Sequence, residues 1–148
     1  MPQSLARVLV HLVFSTKNRE PFITSSHRDR LFDYLGGTLN GLDCPVVRVG
    51  GMPDHVHLLF VQARTISLSK IVEEVKKESS KWAKKHIHPR FFWQSGYGAF
   101  SVSPSIAPKT TAYIENQEDH HKKLTFQGEL RHMLQKHGIE WDERYVWA

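Results

Sequence analysis

The chain has 148 residues, enough for one domain with a buried core, and carries 20 lysines and arginines against 15 aspartates and glutamates. The net charge of +5 and pI near 9.4 permit a polyanionic partner without demonstrating one. Cys44 is the only cysteine, which excludes a disulfide framework and a cysteine-based zinc site. The N-terminal segment lacks the features of a signal peptide, and no window has the ~20 apolar residues that span a membrane, so we expect a cytoplasmic protein.

The first half of the chain predicts three strands and one helix. Residues 7–15 are apolar and rich in β-branched side chains on both faces, as in a central strand. A helix follows over residues 26–40 and ends at a glycine. Residues 45–49 and 55–62 predict the second and third strands, joined by a turn that contains glycine and proline.

The second half predicts a long helix, a fourth strand and two further helices. The long helix spans residues 67–85, where apolar residues recur at helical spacing and lysines cover the other faces. Residues 97–103 alternate as a strand, and two prolines then break the chain before a helix over roughly residues 109–121. A last helix over about residues 126–137 leads into an aromatic tail.

The element order predicts the fold class. It reads β-α-β-β-α-β followed by helices, which is the split βαβ plan, so we predict a ferredoxin-like α+β fold. The four-stranded antiparallel sheet would carry helices on one face, plus a C-terminal helix over roughly residues 109–121. The other face would be open for a ligand, a partner or the C-terminal helices. With no repeat or linker, residues 1–148 are predicted to form a single domain that includes the helix and tail at residues 125–148.

The most informative motif is His55-Val56-His57 in the third strand. Because side chains alternate along a strand, both imidazoles point to one face, while Val56, Leu58 and Phe60 point to the face under the helices. The pair is therefore predicted to lie on an accessible surface, where two imidazoles suit a divalent metal. The alternative is a half-buried strand that exposes two histidines, and these residues alone are equally compatible with it.

A metal catalyst also needs a third protein ligand and free coordination positions for its substrate. Tyr113 and Gln117 are four residues apart in the predicted helix over residues 109–121, so they share a helix face. If that face lies against the histidine pair, Gln117 offers a carbonyl oxygen and Tyr113 offers a phenol. The residue types alone favour the alternative, in which Tyr113 is a core aromatic and Gln117 a surface residue.

These motifs together resemble those of a known family. His55-Val56-His57 resembles the HUH motif of single-strand DNA transesterases, in which U is a large apolar residue. The segment YIENQ at residues 113–117 resembles the nucleophile helix of their single-tyrosine branch. The chain closely resembles the IS200/IS605-type (Y1) transposases over nearly its whole length, with further matching segments in the same order at residues 11–22, 50–59 and 93–103.

The resemblance implies a metal-dependent transposase that cleaves and rejoins single-stranded DNA. By motif position, His55, His57 and Gln117 would bind one Mg²⁺ or Mn²⁺, and Tyr113 would attack the scissile phosphate. The products would be a 5′-phosphotyrosine and a free 3′-OH, so strands could be rejoined without ATP. The family's partners are DNA hairpins. Its members work as homodimers, in which the tyrosine helix of one subunit can complete the site of the other.

Other residues are weaker candidates. Asp54 could orient a metal-bound imidazole, or it could simply cap its turn. Lys17 and Arg19 lie in a loop that the family shares and could contact backbone phosphates. Lys77 and Lys81, with the other lysines of the long helix, could form a phosphate-tracking surface or simply a solvated helix face.

A second histidine pair is not predicted to bind metal, and two other functions are compatible with the sequence. His86 and His88 are rejected as a metal site because they fall at a helix end, where residues two apart point in nearly opposite directions. One alternative function is a domesticated relative that processes repeated hairpins. The other is a non-catalytic ferredoxin-like nucleic-acid-binding module, which would present stacking aromatics on its sheet and need no metal.

Overall fold

The computed structural model describes residues 2–148. Its elements in chain order are β1 (Leu9–Ser15), α1 (Arg28–Gly41), β2 (Val46–Met52), β3 (His55–Val61), α2 (Leu68–His86), β4 (Gly98–Val102), α3 (Ala107–Glu115), α4 (Gln117–His121) and α5 (Phe126–Lys136). A short 3-10 turn, Lys17–Arg19, follows β1. No helix within residues 2–148 is long and apolar enough to cross a membrane.

The four strands form one sheet in the order β2-β3-β1-β4, with every neighbouring pair antiparallel. The central strand β1 pairs with β3 from Leu9 opposite Val61 to Ser15 opposite His55. This topology confirms the predicted ferredoxin-like α+β fold.

The main core lies between the sheet and the pair α1 and α2. The side chains that strand alternation assigns to this face are buried there together with the apolar stripes of both helices. They are Val10, Leu12, Phe14, Val56, Leu58 and Phe60 from the sheet, with Leu31, Leu35, Ile71 and Val75 from the helices.

The second face of the sheet is covered by the C-terminal helix α5, which is one of the three occupants predicted for that face. His55 and His57 are fully buried beneath it, so the prediction that the pair lies on an accessible surface is wrong. The physical reason is that α5 is amphipathic and covers the apolar side chains of β1 and β4 on this face. This second cluster consists of Val13, Phe100, Phe126, Leu130 and Leu134, with Met133, Trp141, Val146 and Trp147 packed against it.

The predicted helix over residues 109–121 is two helices. Asn116 leaves the helical conformation, with φ −99° and ψ 27°, and separates α3 from α4. Tyr113 therefore lies on α3 and Gln117 at the start of α4. The two side chains still meet, because both contact Glu129 of α5.

The strand β2 continues to Met52, three residues beyond its predicted end. Gly50 pairs with His57 in this extension. A Cβ atom at Gly50 would lie only 2.7 Å from the carbonyl oxygen of Ile114. The absence of a side chain therefore lets α3 pack closely on β2, and this packing positions Tyr113 over the sheet.

Candidate metal and tyrosine site

The histidine pair on β3 is oriented by hydrogen bonds to its outer ring nitrogens. Nδ1 of His55 donates to Oδ1 of Asp54 at 2.7 Å. Nδ1 of His57 lies 2.8 Å from Nε2 of His11, which β1 places on the same face. Because both Nδ1 atoms are engaged in this way, both Nε2 atoms face one buried space between the sheet and the C-terminal helices.

Gln117 and Tyr113 reach this space from α4 and α3. Oε1 of Gln117 lies 3.0 Å from Nε2 of His55, and the amide nitrogen of Gln117 donates to Oε2 of Glu129 at 3.1 Å. Tyr113 donates its hydroxyl hydrogen to the same carboxylate oxygen. One chain thus brings together the three predicted metal ligands, His55, His57 and Gln117, and the predicted nucleophile, Tyr113.

Two residues to which the sequence analysis assigns no role also enter the site. Oε1 of Glu129 lies 3.0 Å from Nε2 of His57 and 3.3 Å from Nε2 of His55. Nε2 of His121 lies 3.3 Å from the same oxygen. Ligand atoms of His55, His121 and Glu129 all lie within 4.8 Å of one another, close enough to share a cation. The signal that could have revealed Glu129 is its place on the apolar stripe of α5, three residues after Phe126.

Burial and hydrogen bonding give the two strand histidines different charge states. Burial disfavours the charged imidazole at both positions. At His55, hydrogen bonds to Asp54 and Glu129 outweigh burial and raise the pKa to about 9. At His57 burial prevails and lowers the pKa. Burial, together with the neighbouring His57, also lowers the pKa of His11 to about 3, so His11 is a neutral partner for Nδ1 of His57.

The phenol and the carboxylate influence each other. Burial and the negative charge of Glu129 raise the pKa of Tyr113. Burial opposes ionisation of Glu129, but hydrogen bonds from His55 and His57 hold its pKa well below the usual value. In the metal-free protein Tyr113 is therefore a neutral phenol and Glu129 a carboxylate.

The donor set fits a divalent cation. It combines the imidazole nitrogens of His55 and His57 with the amide oxygen of Gln117 and the carboxylate of Glu129. Imidazole favours transition ions and oxygen ligands favour hard ions, so the mixed set is suited to a divalent cation without selecting one. The engaged Nδ1 atoms also match the usual arrangement of metal-bound histidines, whose second nitrogen donates to a neighbouring acceptor.

Tyr113 is reached from outside through a groove of about 650 Å³ between β4, α3 and α5. Its floor includes Phe100, and no aspartate or glutamate is among its lining residues. A groove with lysines and apolar side chains in its lining can accommodate a phosphodiester chain. The basic side chains that line it are Lys109, His132, Lys136 and His137.

The predicted DNA-contacting residues fall into two groups. Lys17 and Arg19 lie in the turn that follows β1. This turn is at the end of the sheet where β3 begins, since the backbone N–H of Thr16 donates to the carbonyl oxygen of Asp54. The ammonium group of Lys17 lies over the ring of Phe92, 5.8 Å from its centroid, and not against the metal ligands. Lys77 and Lys81 lie exposed on α2, on the opposite side of the sheet, and pair with glutamates of the same helix. The structure does not bring this second pair to the site.

The rejected histidine pair is separated by its packing. His86 ends α2 and stacks on Trp82 with ring centroids 4.8 Å apart. His88 lies beyond the helix and stacks on Phe22 at 4.9 Å. The two imidazoles therefore pack against different aromatic side chains.

The amino-acid sequence is similar to those of known transposases. A family model described as "Transposase IS200 like" matches residues 4–117. The ISDra2 transposase TnpA of Deinococcus radiodurans is 28% identical over 118 residues, which cover 74% of this chain and 83% of that protein.

Two solved structures share the fold. One, described as a candidate transposase from Deinococcus radiodurans R1, has a TM-score of 0.63 at 24% identity and covers 79% of this chain and 98% of its own. The other is a REP-associated tyrosine transposase bound to a REP hairpin. It has a TM-score of 0.60 at 14% identity and covers 82% of this chain and 73% of its own.

Proposed function

Because this chain belongs to the IS200-like transposase family, we propose that it cleaves and rejoins single-stranded DNA, using Tyr113 and a divalent metal. One observation carries the proposal. The hydroxyl of Tyr113, the Nε2 atoms of His55 and His57 and the amide of Gln117 all meet around one buried carboxylate. The proposed nucleophile and the proposed metal ligands therefore all contact the same carboxylate.

Tyr113 is the proposed nucleophile. Its oxygen forms a bond to the phosphorus of the scissile phosphodiester, the bond from phosphorus to the 3′ oxygen breaks, and the proton lost by the phenol is balanced by protonation of that 3′ oxygen. The products are a 5′-phosphotyrosine and a free 3′-OH. Attack by another 3′-OH reverses the step, so strands are rejoined with no external source of energy.

The residues proposed to hold Mg²⁺ or Mn²⁺ are His55, His57 and Gln117. When bound, the cation would withdraw negative charge from the scissile phosphate. Asp54 accepts the Nδ1 hydrogen of His55 and leaves its Nε2 for the ion once a proton is released. His11 serves His57 in the same way, since a neutral imidazole can accept the Nδ1 hydrogen of His57.

DNA hairpins are the proposed partners. A solved relative is bound to a REP hairpin, which supports the same class of ligand here. Lys17 and Arg19 lie at the site end of the sheet and are proposed to contact phosphates of such DNA. Lys77 and Lys81 could contact the same DNA only if it extended around the sheet to α2. Their contact with DNA stays a prediction.

The family resemblance also predicts a homodimer with shared active sites. In this structure Tyr113 already contacts Glu129 of the same chain. A shared site would require α3 to leave its close packing against Gly50. Mixing Tyr113→Phe chains with His57→Ala chains tests the prediction, because activity returns in the mixture only if subunits exchange tyrosine helices.

The proposed reaction is tested by trapping the covalent product. The protein is incubated with 3′-labelled single-stranded hairpin DNA from the flanks of its own gene, with Mn²⁺, Mg²⁺ or EDTA. We expect a denaturant-resistant protein–DNA band that requires metal and disappears in Tyr113→Phe. Tyr97→Phe is the matched control, since Tyr97 is exposed and outside the site. An adduct that persists in Tyr113→Phe would contradict the assignment.

A second function would use the same site. A relative that processes repeated hairpins for its host is favoured by the likeness to a protein bound to a REP hairpin. Cleavage of repeats elsewhere in the genome, with none at the flanks of the gene, would distinguish it from a mobile-element enzyme. The non-catalytic module has less support, because α5 covers the sheet face that such a module would use to stack bases.

A further inference from the structure

We propose that Glu129 is an anionic ligand of the metal and at the same time holds the tyrosine nucleophile, so that α5 completes the centre. This inference rests on the proposed function, since it concerns the same metal. It goes beyond the family pattern, because the family match covers residues 4–117 and Glu129 lies outside it.

The two carboxylate oxygens of Glu129 have different partners. Oε1 faces the imidazoles, 3.0 Å from Nε2 of His57 and 3.3 Å from Nε2 of both His55 and His121. Oε2 accepts hydrogen bonds from the hydroxyl of Tyr113 and from the amide nitrogen of Gln117. One carboxylate therefore contacts all the proposed ligands and the nucleophile, with Oε1 directed at the imidazoles and Oε2 at Tyr113 and Gln117.

Burial and charge balance indicate that a cation belongs beside Glu129. The residue is only 1% exposed, and within residues 2–148 its ion-pair partners are histidines, with no lysine or arginine among them. Histidines that bind a metal do so as neutral imidazoles, and the amide of Gln117 is also neutral. Once these histidines act as neutral ligands, the bound ion supplies the positive charge that balances the buried carboxylate of Glu129. Equally, a doubly charged ion among neutral donors lacks a negative ligand unless Glu129 supplies one.

The position of Glu129 is fixed by the packing of its helix. Thr125 caps the N-terminus of α5, and its hydroxyl accepts the backbone hydrogen of Gly128 at 3.1 Å. Phe126 stacks on the ring of His55 with centroids 4.5 Å apart. Leu130 follows Glu129 directly and is buried in the second cluster. The apolar contacts of Phe126 and Leu130, which precede and follow Glu129 on α5, thus hold its carboxylate among the proposed ligands.

Binding of Mn²⁺ to the DNA-free protein tests the inference. The free ion is followed by electron paramagnetic resonance, and folding of each variant is checked by circular dichroism. We expect Glu129→Gln, which keeps the size of the side chain and removes its charge, to weaken Mn²⁺ binding by about 100-fold. Glu129→Asp, which keeps the charge on a shorter side chain, should recover part of that loss. Glu140→Gln is the matched control, because Glu140 is exposed, and it should bind like wild type.

The outcomes separate this inference from the proposed function. Unchanged Mn²⁺ affinity in Glu129→Gln would overturn the inference and leave the metal site of His55, His57 and Gln117 standing. Tighter binding would also overturn it and would make Glu129 a carboxylate that blocks the site. Tyr113→Phe should lose the DNA adduct while retaining Mn²⁺ affinity to within a few-fold. No Mn²⁺ binding by the wild-type protein would overturn both the inference and the proposed metal dependence.

Discussion

Replacing Gly50 by alanine should damage the reaction far more than the fold. Gly50 lies on β2 directly under the end of α3, and an added Cβ would meet the backbone of Ile114, the residue after Tyr113. The new methyl group would lie 2.7 Å from the carbonyl oxygen of Ile114 and 2.8 Å from its Cγ2 atom. Backbone cannot rotate away as a flexible side chain can, so α3 itself must move.

The size of that movement follows from the contact distance. Ordinary contact for a Cβ atom begins at 3.4 Å, so α3 must shift by about 0.7 Å to relieve the contact with the carbonyl oxygen. Overpacking of this kind costs about 1–3 kcal/mol of unfolding free energy. A misplacement approaching ~1 Å can reduce a reaction that depends on positioning by about 100-fold. We therefore expect Gly50→Ala to remain folded and to form the covalent adduct on the order of 100-fold more slowly.

The assay is the initial rate of adduct formation at saturating Mn²⁺, with urea unfolding measured in parallel. Gly37→Ala is the matched control: Gly37 lies on the exposed side of α1 and an added Cβ there has no neighbour within 4 Å. It should gain about 0.5–1 kcal/mol of stability and keep its rate. A wild-type rate in Gly50→Ala would refute the argument that close packing of α3 on β2 positions Tyr113.

Two further predictions concern charge and capping. Because hydrogen bonds raise the pKa of His55 from 6.5 to about 9, its stabilising effect in metal-free protein is complete below pH 6.5 and is lost as pH rises through about 9. The unfolding free energy in EDTA should fall by up to about 3 kcal/mol over that pH interval, and His55→Gln should reduce this pH dependence. The same pH dependence in both proteins would show that His55 is not its cause. Thr125→Ala removes the N-cap of α5 and should cost about 1 kcal/mol in urea unfolding while weakening Mn²⁺ binding through Glu129. A loss of stability with unchanged Mn²⁺ affinity would show that the cap does not matter to the site.

The fold was predictable because its signals are local. Strand alternation placed Val56, Leu58 and Phe60 in the core and put both histidines on the opposite face. Burial of the histidines was not predictable in the same way. It depends on α5 packing on the second face of the sheet, which is a contact between segments distant in sequence. The pattern of α5 shows that one helix face is apolar, but it does not show which surface that face covers.

The site was predictable where a motif carried it and unpredictable where tertiary packing did. Tyr113 and Gln117 do lie together, although the helix assumed to align them breaks at Asn116. Both side chains meet at Glu129, so a contact with α5 replaces the expected helical spacing. A single glutamate within an amphipathic helix has no spacing signature. Only its place on the apolar stripe, between Phe126 and Leu130, sets it apart from a surface carboxylate.

The position of β1 at the centre of the sheet has a consequence for how the protein is made. All seven residues of this strand are buried, yet its partners β3 and β4 lie far downstream in the chain. At about 5–20 residues per second, a ribosome exposes β1 for several seconds before β4 has emerged. Folding that depends on such distant pairing is slow, and an unpaired apolar strand is prone to aggregate in the meantime. The helices that carry Tyr113 and Glu129 emerge later still, so a nascent chain can complete its reactive centre only after all four strands have emerged.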